Sequence, residues 1–196
     1  MAEIRDILAG VPRLELLALD DLDLPPDPPE DELEPHDSFE ENARAKAEHF
    51  FRLTGVPTVA DDSGIEVDAL GGAPGVRSKR YAPDQGLTGR ARDLANNRHL
   101  LEQLRDVPPE KRTSRYVCAA ALVTGEGERR TFRGEASGVV VTEARGEGGF
   151  GYDPHMLDPE LGFTYAEMSA PQKNARSHRG KAFEALRDHL IQRSDA

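Results

Sequence analysis

Cysteine, long apolar runs and net positive charge are all scarce in this sequence. The chain has one cysteine in 196 residues and so cannot form an internal disulfide; Cys118, among strand-like apolar neighbours, is predicted to be a packed, reduced thiol. No apolar run approaches the roughly 20 residues that a membrane-spanning helix needs. The net charge of −11 argues against non-specific nucleic-acid binding, which relies on positive charge to displace phosphate counterions. Neither a membrane nor a nucleic acid is therefore expected as a partner.

The N-terminus also lacks the apolar segment of a secretory signal, and a cytoplasmic location is expected. The length fits one domain over residues 1–196, or two lobes that share a core. Ile4, Ile7 and Leu8 recur at helical spacing without a preceding N-cap, so the chain is predicted to begin inside a helix. Residues 11–19 are compatible with a short strand.

An acidic segment precedes the first well-defined helix. Residues 20–37 contain nine acids, five prolines and no lysine or arginine, a composition that buries little apolar surface and predicts a mobile loop. The alternative is that one glutamate, Glu34, folds over a metal ion. Ser38 and Glu41 have the spacing of a capping box, which predicts a helix from Ser38 to about Leu53.

Residues 59–64, Val-Ala-Asp-Asp-Ser-Gly, are the stretch around which a site is predicted. Residues 56–60 are strand-like and Asp-Asp-Ser-Gly is typical of a turn, so Asp61 and Asp62 are expected at the C-terminal end of a strand. Ligands collect at that edge of open α/β sheets. Two adjacent carboxylates would repel one another unless a proton or a hard cation such as Mg2+ lay between them. An ordinary solvated turn is the alternative.

A glycine-rich loop, Gly-Gly-Ala-Pro-Gly at residues 71–75, follows a second strand-like stretch at residues 65–70. Its glycines would let backbone approach a ligand closely, although without a following Gly-Lys-Ser/Thr it is no P-loop. A plain connecting loop is the alternative.

The middle of the chain is predicted to supply scaffold. An amphipathic helix is expected from about Thr88 to Arg105, with Asn97 on a solvated face; the alternative is that Asn97 lines a site. Residues 116–123 and 129–141 are expected to pair as antiparallel strands. Together with the earlier helix and strand, they predict the α/β class with a mixed sheet and flanking helices.

A second glycine-rich loop, residues 146–154, contains Phe150 and Tyr152. Aromatic rings beside flexible backbone make a natural stacking surface for a nucleobase. The alternative is that both rings anchor the loop in the core.

An acid-free basic run spans residues 172–183 and includes Lys173, His178 and Arg179. A final helix is predicted to follow, so His178 and Arg179 lie at its N-terminus, where backbone N–H groups favour anions. This run supplies local positive charge in an acidic chain, and a solvated basic turn is the alternative.

In this order and spacing, the motifs resemble the inosine/xanthosine triphosphate pyrophosphatase family, which hydrolyses non-canonical purine nucleoside triphosphates. The resemblance runs from about Ala2 to Leu190. It rests on the following stretches: Ser38-Phe39-Glu40-Glu41-Asn42-Ala43, Ala60-Asp61-Asp62-Ser63-Gly64 with Gly71-Gly72-Ala73-Pro74-Gly75, Gly149-Phe150-Gly151-Tyr152-Asp153-Pro154, Lys173 and Ser177-His178-Arg179-Gly180.

The resemblance implies an elongated mixed α/β fold of two lobes around a nucleotide cleft, a homodimer, and a requirement for Mg2+. Asp62 matches the catalytic acid and a metal ligand, and Glu34, in preference to Glu30, is chosen as the second metal carboxylate. The substrate-binding residues implied are Ser63, Phe150, Gly151, Tyr152, Asp153, Lys173, His178 and Arg179.

The chemistry of these residues suits the implied reaction, which releases a nucleoside monophosphate and pyrophosphate. Mg2+ on Asp62 and Glu34 would neutralise the phosphates for in-line attack by water at the α-phosphorus, with Asp62 as the base. Lys173 and nearby arginines would stabilise developing charge. Arg179 is expected to face O6 of a 6-oxo purine.

The N-terminus departs from the family pattern of a first strand that ends in Thr/Ser-Gly-Asn and is followed by a lysine that grips the triphosphate. Met1 falls where the next helix is already under way, so either the start codon was assigned too late or the chain is truncated. Without this grip, a nucleotide-binding protein with little or no turnover is the alternative function. A related pyrophosphatase that acts on modified pyrimidine or other nucleotides is a third hypothesis.

Overall fold

The structure, a computed structural model, describes residues 2–22, 24, 28–83, 86–125 and 127–194. Among the described residues, three α-helices precede the first strand, a fourth helix follows it, and three strands and then two helices complete the order. The helices are α1 (Ala2–Leu8), α2 (Glu30–Leu33), α3 (Phe39–Thr54), α4 (Gly89–Gln103), α5 (Ala170–Arg176) and α6 (His178–Ser194). The strands are β1 (Thr58–Val67), β2 (Thr113–Val123), β3 (Arg129–Val140) and β4 (Met156–Leu157).

The four strands form one antiparallel sheet in the order β1-β2-β3-β4. Between the end of β2 and the start of β3, the Thr124 N–H donates to the Glu128 carbonyl at 3.1 Å. In the β3–β4 pair, Val139 lies opposite Leu157 and Val140 opposite Met156. The predicted α/β class and the predicted antiparallel pairing of β2 with β3 are confirmed.

Helix α3 begins and ends where the sequence predicts. The Ser38 hydroxyl accepts a hydrogen bond from the Glu41 N–H at 3.3 Å, and Gly55 ends the helix with a φ of 68°. Glycine adopts this left-handed conformation without the steric cost that a side chain would add. Helix α4 and the helical start of the chain at α1 are also confirmed.

The Asp-Asp-Ser-Gly turn is a wrong prediction, because β1 runs without interruption from Thr58 to Val67. Turn propensity is a local preference. It is overridden here because β1 pairs with β2 along the sheet and because both aspartates have partners on other elements. The predicted strand at residues 65–70 is therefore the end of β1 followed by a short 3-10 helix at Asp68–Leu70.

Two N-terminal predictions are also corrected. Residues 11–19 form no strand, and Leu14 and Leu17 are exposed instead of packed. The acidic segment is not a loop throughout, because α2 forms within it. Residue 23 and residues 25–27 of that segment lie outside the described part of the chain.

The chain divides into two compact units, each with its own hydrophobic core. The first comprises Met1–Asp62, Cys118–Gly134 and His178–Ala196, and the second comprises Ser63–Val117 and Glu135–Ser177. The first core contains Leu8, Val11, Cys118, Ala120, Leu122, Ala182, Phe183 and Leu186. The second contains Ile65, Val67, Leu100, Leu104, Tyr116, Ala136, Val140, Tyr152, Met156 and Tyr165.

Cys118 is fully buried and forms no disulfide, as predicted. No helix within the described ranges is both long and apolar enough to cross a membrane.

Candidate active site

Asp61 and Asp62 are adjacent residues of β1, and their carboxylates pair with different elements. Successive side chains of a strand point to opposite faces. Asp61 accepts hydrogen bonds from Arg179 of α6, whereas Asp62 contacts two side chains of α3. The two acids therefore need no shared cation between them, and the predicted repulsion within the pair is relieved by the strand geometry.

The Asp62 carboxylate is buried and held at both oxygens. Asn42 Nδ2 donates to Oδ2 at 3.1 Å, and Lys46 Nζ lies 3.6 Å from Oδ1. The same ammonium donates to Glu34 Oε1 at 2.7 Å. The structure thus brings together Glu34 and Asp62, the two carboxylates predicted to share a metal ion, around the Lys46 ammonium.

Arg179 is held in place by Asp61. Its Nε and one terminal nitrogen lie 3.3 and 3.1 Å from Asp61 Oδ2. Burial of the guanidinium is the largest single effect and opposes its charge, but Asp61 together with Cys118 and Glu3 outweighs it, so the pKa of Arg179 is raised above its ordinary value. Arg179 is held as a cation at the start of α6.

The start of α6 is set by a glycine of β3. A Cβ on Gly134 would lie 2.6 Å from the Ala182 nitrogen and closer still to the His178 carbonyl oxygen. Real Cβ atoms do not approach backbone so closely. The missing side chain therefore lets the first turn of α6, which carries His178 and Arg179, lie directly against β3.

In the second unit, Asp153 organises the aromatic loop. Tyr116 donates its hydroxyl proton to Asp153 Oδ1 at 3.0 Å. The other oxygen, Oδ2, accepts from the Phe150 N–H at 2.9 Å and from Lys173 Nζ at 2.6 Å. The pKa of Tyr116 is raised well above its ordinary value, first by burial and then by the Asp153 charge. Tyr116 consequently stays a donor to this carboxylate.

The two aromatic residues of the loop have different environments. Phe150 is 65% exposed, with Lys173 Nζ 4.8 Å from its ring centroid. Tyr152 is buried, and its hydroxyl donates to the Ser78 carbonyl at 2.7 Å. Phe150 is thus available for stacking, whereas Tyr152 anchors the loop.

Helix α4 holds the peptide groups between these two residues. The Gly151 N–H donates to Asp93 Oδ2 at 3.0 Å, and Asn97 Nδ2 donates to the Gly151 carbonyl at 2.9 Å. Asp93 and Asn97 are four residues apart and so lie on one face of the helix. The prediction of a solvated Asn97 is wrong, because the Asn97 side chain is buried and its amide donates to a loop carbonyl instead of to water.

Comparison with known proteins places this geometry in a family. The profile of the Ham1 family matches residues 1–189. The chain belongs to the Ham1 family. A dITP/XTP pyrophosphatase of Geobacter sulfurreducens is 48% identical over 97% of this chain and 90% of its own length. A dITP/XTP pyrophosphatase of Frankia alni is 49% identical over 95% of this chain and 89% of its own length.

Solved structures agree with the Ham1 assignment. The Staphylococcus aureus Ham1 protein matches with a TM-score of 0.84 and 33% identity over 98% of this chain and 95% of that chain. A HAM1 protein from Coxiella burnetii matches with a TM-score of 0.85 and 34% identity over 97% of this chain and 92% of that chain. The resemblance inferred from the sequence motifs is confirmed.

The residues predicted for the site of this Ham1 protein fall into two groups. Glu34, Asp62, His178 and Arg179 belong to the first unit, and Ser63, Phe150, Gly151, Tyr152, Asp153 and Lys173 belong to the second. Ser63 and His178 are both half-buried. Their assigned roles in substrate binding remain predictions.

Sequence reasoning missed the supporting side chains Lys46, Tyr116 and Asp93. A usable signal existed for Lys46, because Asn42 and Lys46 are four residues apart on a predicted helix and therefore share a face. Tyr116 and Asp93 carry no comparable signal. Each acts on a loop that lies more than 30 residues away in the chain.

The carboxylates of the first unit suit a magnesium ion. Within the described residues no group of three or more His, Cys, Asp and Glu side chains has the arrangement of a metal site. Mg2+, however, is usually held by one or two carboxylates together with waters and substrate phosphates. Glu34 and Asp62 provide two hard oxygen donors that already converge on one cationic atom, so they fit this ion.

Proposed function

We propose that this Ham1 protein hydrolyses non-canonical purine nucleoside triphosphates, namely ITP, dITP and XTP, to the nucleoside monophosphate and pyrophosphate. The observation that carries the proposal is the convergence of Glu34 and Asp62 on one cation in a chain 48% identical to a dITP/XTP pyrophosphatase. Two such carboxylates can hold the metal ion that neutralises a strongly anionic triphosphate during its cleavage.

The proposal assigns Mg2+ to Asp62 and Glu34. When bound there, the ion would neutralise phosphate oxygens and orient them for displacement. We assign the role of general base to Asp62, whose carboxylate would accept a proton from the water that attacks the α-phosphorus. Asn42 keeps Oδ2 of this carboxylate in a fixed orientation, and the charge on Lys46 lies beside Oδ1.

Recognition of the base is assigned to the aromatic loop and to Arg179. The exposed Phe150 ring offers a stacking surface, and Lys173 supplies a positive charge beside it. A guanidinium has five N–H donors. We propose that the guanidinium of Arg179 donates a hydrogen bond to O6 of a 6-oxo purine. A polar contact of this kind discriminates against adenine more strongly than shape exclusion does.

Pyrophosphate release from ITP, XTP, GTP and ATP, measured with and without Mg2+, tests the proposal. We expect fast, Mg2+-dependent release from ITP and XTP alone. The Asp62→Asn variant should lose activity by several orders of magnitude while ITP binding, measured by calorimetry, largely survives. Equal rates on all four nucleotides, or near-parental activity of Asp62→Asn, would contradict the assignment.

The alternative of nucleotide binding without turnover is not favoured. The relatives that match over about nine-tenths of their own length are named as pyrophosphatases. The remaining hypothesis is a related pyrophosphatase that acts on modified pyrimidine or other nucleotides. The same panel, extended to modified pyrimidine nucleotides, tests it, and a preference for purines would contradict it.

We further propose a homodimer that acts in the cytoplasm, where nucleoside triphosphates are made. Light scattering on the purified protein tests the homodimer, because a measured mass of one chain, 21.5 kDa, would exclude a stable dimer. Fractionation of cells, with detection by an antibody to the protein, tests the cytoplasmic location.

A further inference from the structure

The Lys46 side chain lies where the proposed function places a metal ion. Its Nζ is 2.7 Å from Glu34 Oε1 and 3.6 Å from Asp62 Oδ1. All three side chains are largely shielded from water, with exposed fractions of 15% for Lys46, 12% for Glu34 and 7% for Asp62. Screening by solvent is weak at such a position, so the charges act strongly on one another.

Two shielded carboxylates cannot stay close together without a cation. Removing one partner from a buried ion pair is strongly destabilising, because the remaining charge is left uncompensated. Here a single ammonium serves two carboxylates. Asn42, one turn earlier on α3, fixes the other oxygen of Asp62, so the carboxylate is oriented with Oδ1 towards the ammonium.

We propose that Lys46 is an internal counter-cation, which holds Glu34 and Asp62 together in the metal-free protein and is displaced when a divalent cation binds between them. The inference rests on the proposed function for the identity of the two ligands. A +1 and a +2 charge at contact distance from the same oxygens repel one another. The flexible stem of lysine lets its ammonium leave without a change in the backbone.

Mg2+ binding without nucleotide tests the competition that this proposal requires. Isothermal calorimetry with Mg2+ alone should give tighter binding to Lys46→Met than to the parent, by about tenfold or more. Arg129→Met is a matched control. Arg129 pairs at 2.7 Å with Glu48 of α3, the helix that carries Lys46, but the Arg129 side chain is exposed. The variant therefore removes one positive charge outside the buried cluster. The control should bind Mg2+ as the parent does.

The displacement itself is measured on the parent protein, which keeps the test valid if Lys46→Met folds poorly. Trace labelling with acetic anhydride and mass spectrometry gives the reactivity of each lysine, and Lys111, in the other unit, is the internal reference. We expect the reactivity of Lys46 to rise several-fold at saturating Mg2+, while that of Lys111 stays constant.

The outcomes separate the inference from the function on which it rests. Unchanged labelling of Lys46 in a parent that binds Mg2+, or equal Mg2+ affinity of the parent and a folded Lys46→Met, overturns the counter-cation role and leaves the pyrophosphatase proposal intact. An absence of Mg2+ binding to both proteins without nucleotide also overturns it. Failure to release pyrophosphate from ITP contradicts the proposed function, whatever the labelling shows.

Discussion

Asn42 is the residue that connects the acidic segment to Asp62. It is fully buried, with 0% of its surface exposed. Its Oδ1 accepts from the His36 N–H at 2.8 Å, and its Nδ2 donates to the His36 carbonyl at 3.1 Å and to Asp62 Oδ2 at 3.1 Å. One amide therefore fixes both the backbone that follows Glu34 and the orientation of the candidate base.

Asn42→Ala should lower both stability and activity. The substitution leaves the His36 backbone groups and Asp62 Oδ2 without this partner, and each unsatisfied buried group costs about 1–3 kcal/mol. We expect a loss of about 2–4 kcal/mol in urea unfolding and a clear fall in pyrophosphate release from ITP. Asn174→Ala, on α5, is the control. Unfolding of Asn42→Ala at the parental urea concentration would show that the amide has no such role.

At single positions, the resemblance of the combined motifs to one family selects Asp62 and Phe150, and their roles in the site stay predictions. The different environments of Phe150 and Tyr152 could not be predicted, because they depend on the distant Ser78 carbonyl. Nor could the separate partners of Asp61 and Asp62, because they depend on which helix covers each face of β1.

Among the elements, the contact of α6 with β3 depends most on one residue. A Cβ at Gly134 would overlap the backbone of the first turn of α6, and backbone cannot give way as a flexible side chain can. Gly134→Ala should therefore destabilise the protein by about 3 kcal/mol or more, the upper range for overpacking. Because the shifted turn carries Arg179, activity should fall as well.

Gly10→Ala provides the matched control for Gly134→Ala, because no heavy atom lies within 4 Å of a Cβ built at Gly10. Thermal unfolding of both variants should show a large loss for Gly134→Ala and little change for Gly10→Ala. Similar melting temperatures for Gly134→Ala and the parent would mean that α6 does not lie as close to β3 as the structure has it.

Capped and periodic elements were predictable, whereas elements defined by their partners were not. Helix α3 has a capping serine and a terminal glycine in its own sequence, so local rules are sufficient to place it. Strand β1 contains four consecutive residues that favour turns and is nevertheless a strand, since pairing with β2 and the partners of its acids stabilise it. Strand propensity depends on such context more than helix propensity does.

At the scale of the whole molecule, the acidic total conceals local pairing. The basic run that the sequence singled out is neutralised by carboxylates elsewhere in the chain, as Lys173 pairs with Asp153, Arg176 with Asp158, and Arg179 with Asp61. The net charge of −11 did not reveal that these cations are already ion-paired.

The tyrosines set an alkaline limit on stability. Burial raises the pKa of all four, to about 12 for Tyr165 and well above the ordinary value for Tyr116, which also faces the Asp153 charge. The folded protein thus keeps protons that the unfolded chain releases near pH 10. This stabilising difference is fully present below about pH 10 and is lost as the pH rises through that value towards the folded-state pKa values.

An alkaline titration should consequently show tyrosine ionisation and unfolding as one event. The chain contains no tryptophan, so the near-ultraviolet tyrosinate band can be followed without overlap and compared with far-ultraviolet circular dichroism. We expect the band to stay low past pH 10 and then to rise steeply as helical signal is lost, whereas urea-unfolded protein should titrate gradually near pH 10. A gradual rise near pH 10 with unchanged dichroism would mean that the tyrosines are accessible in the folded state, because only a hydroxyl that reaches solvent can lose its proton without unfolding.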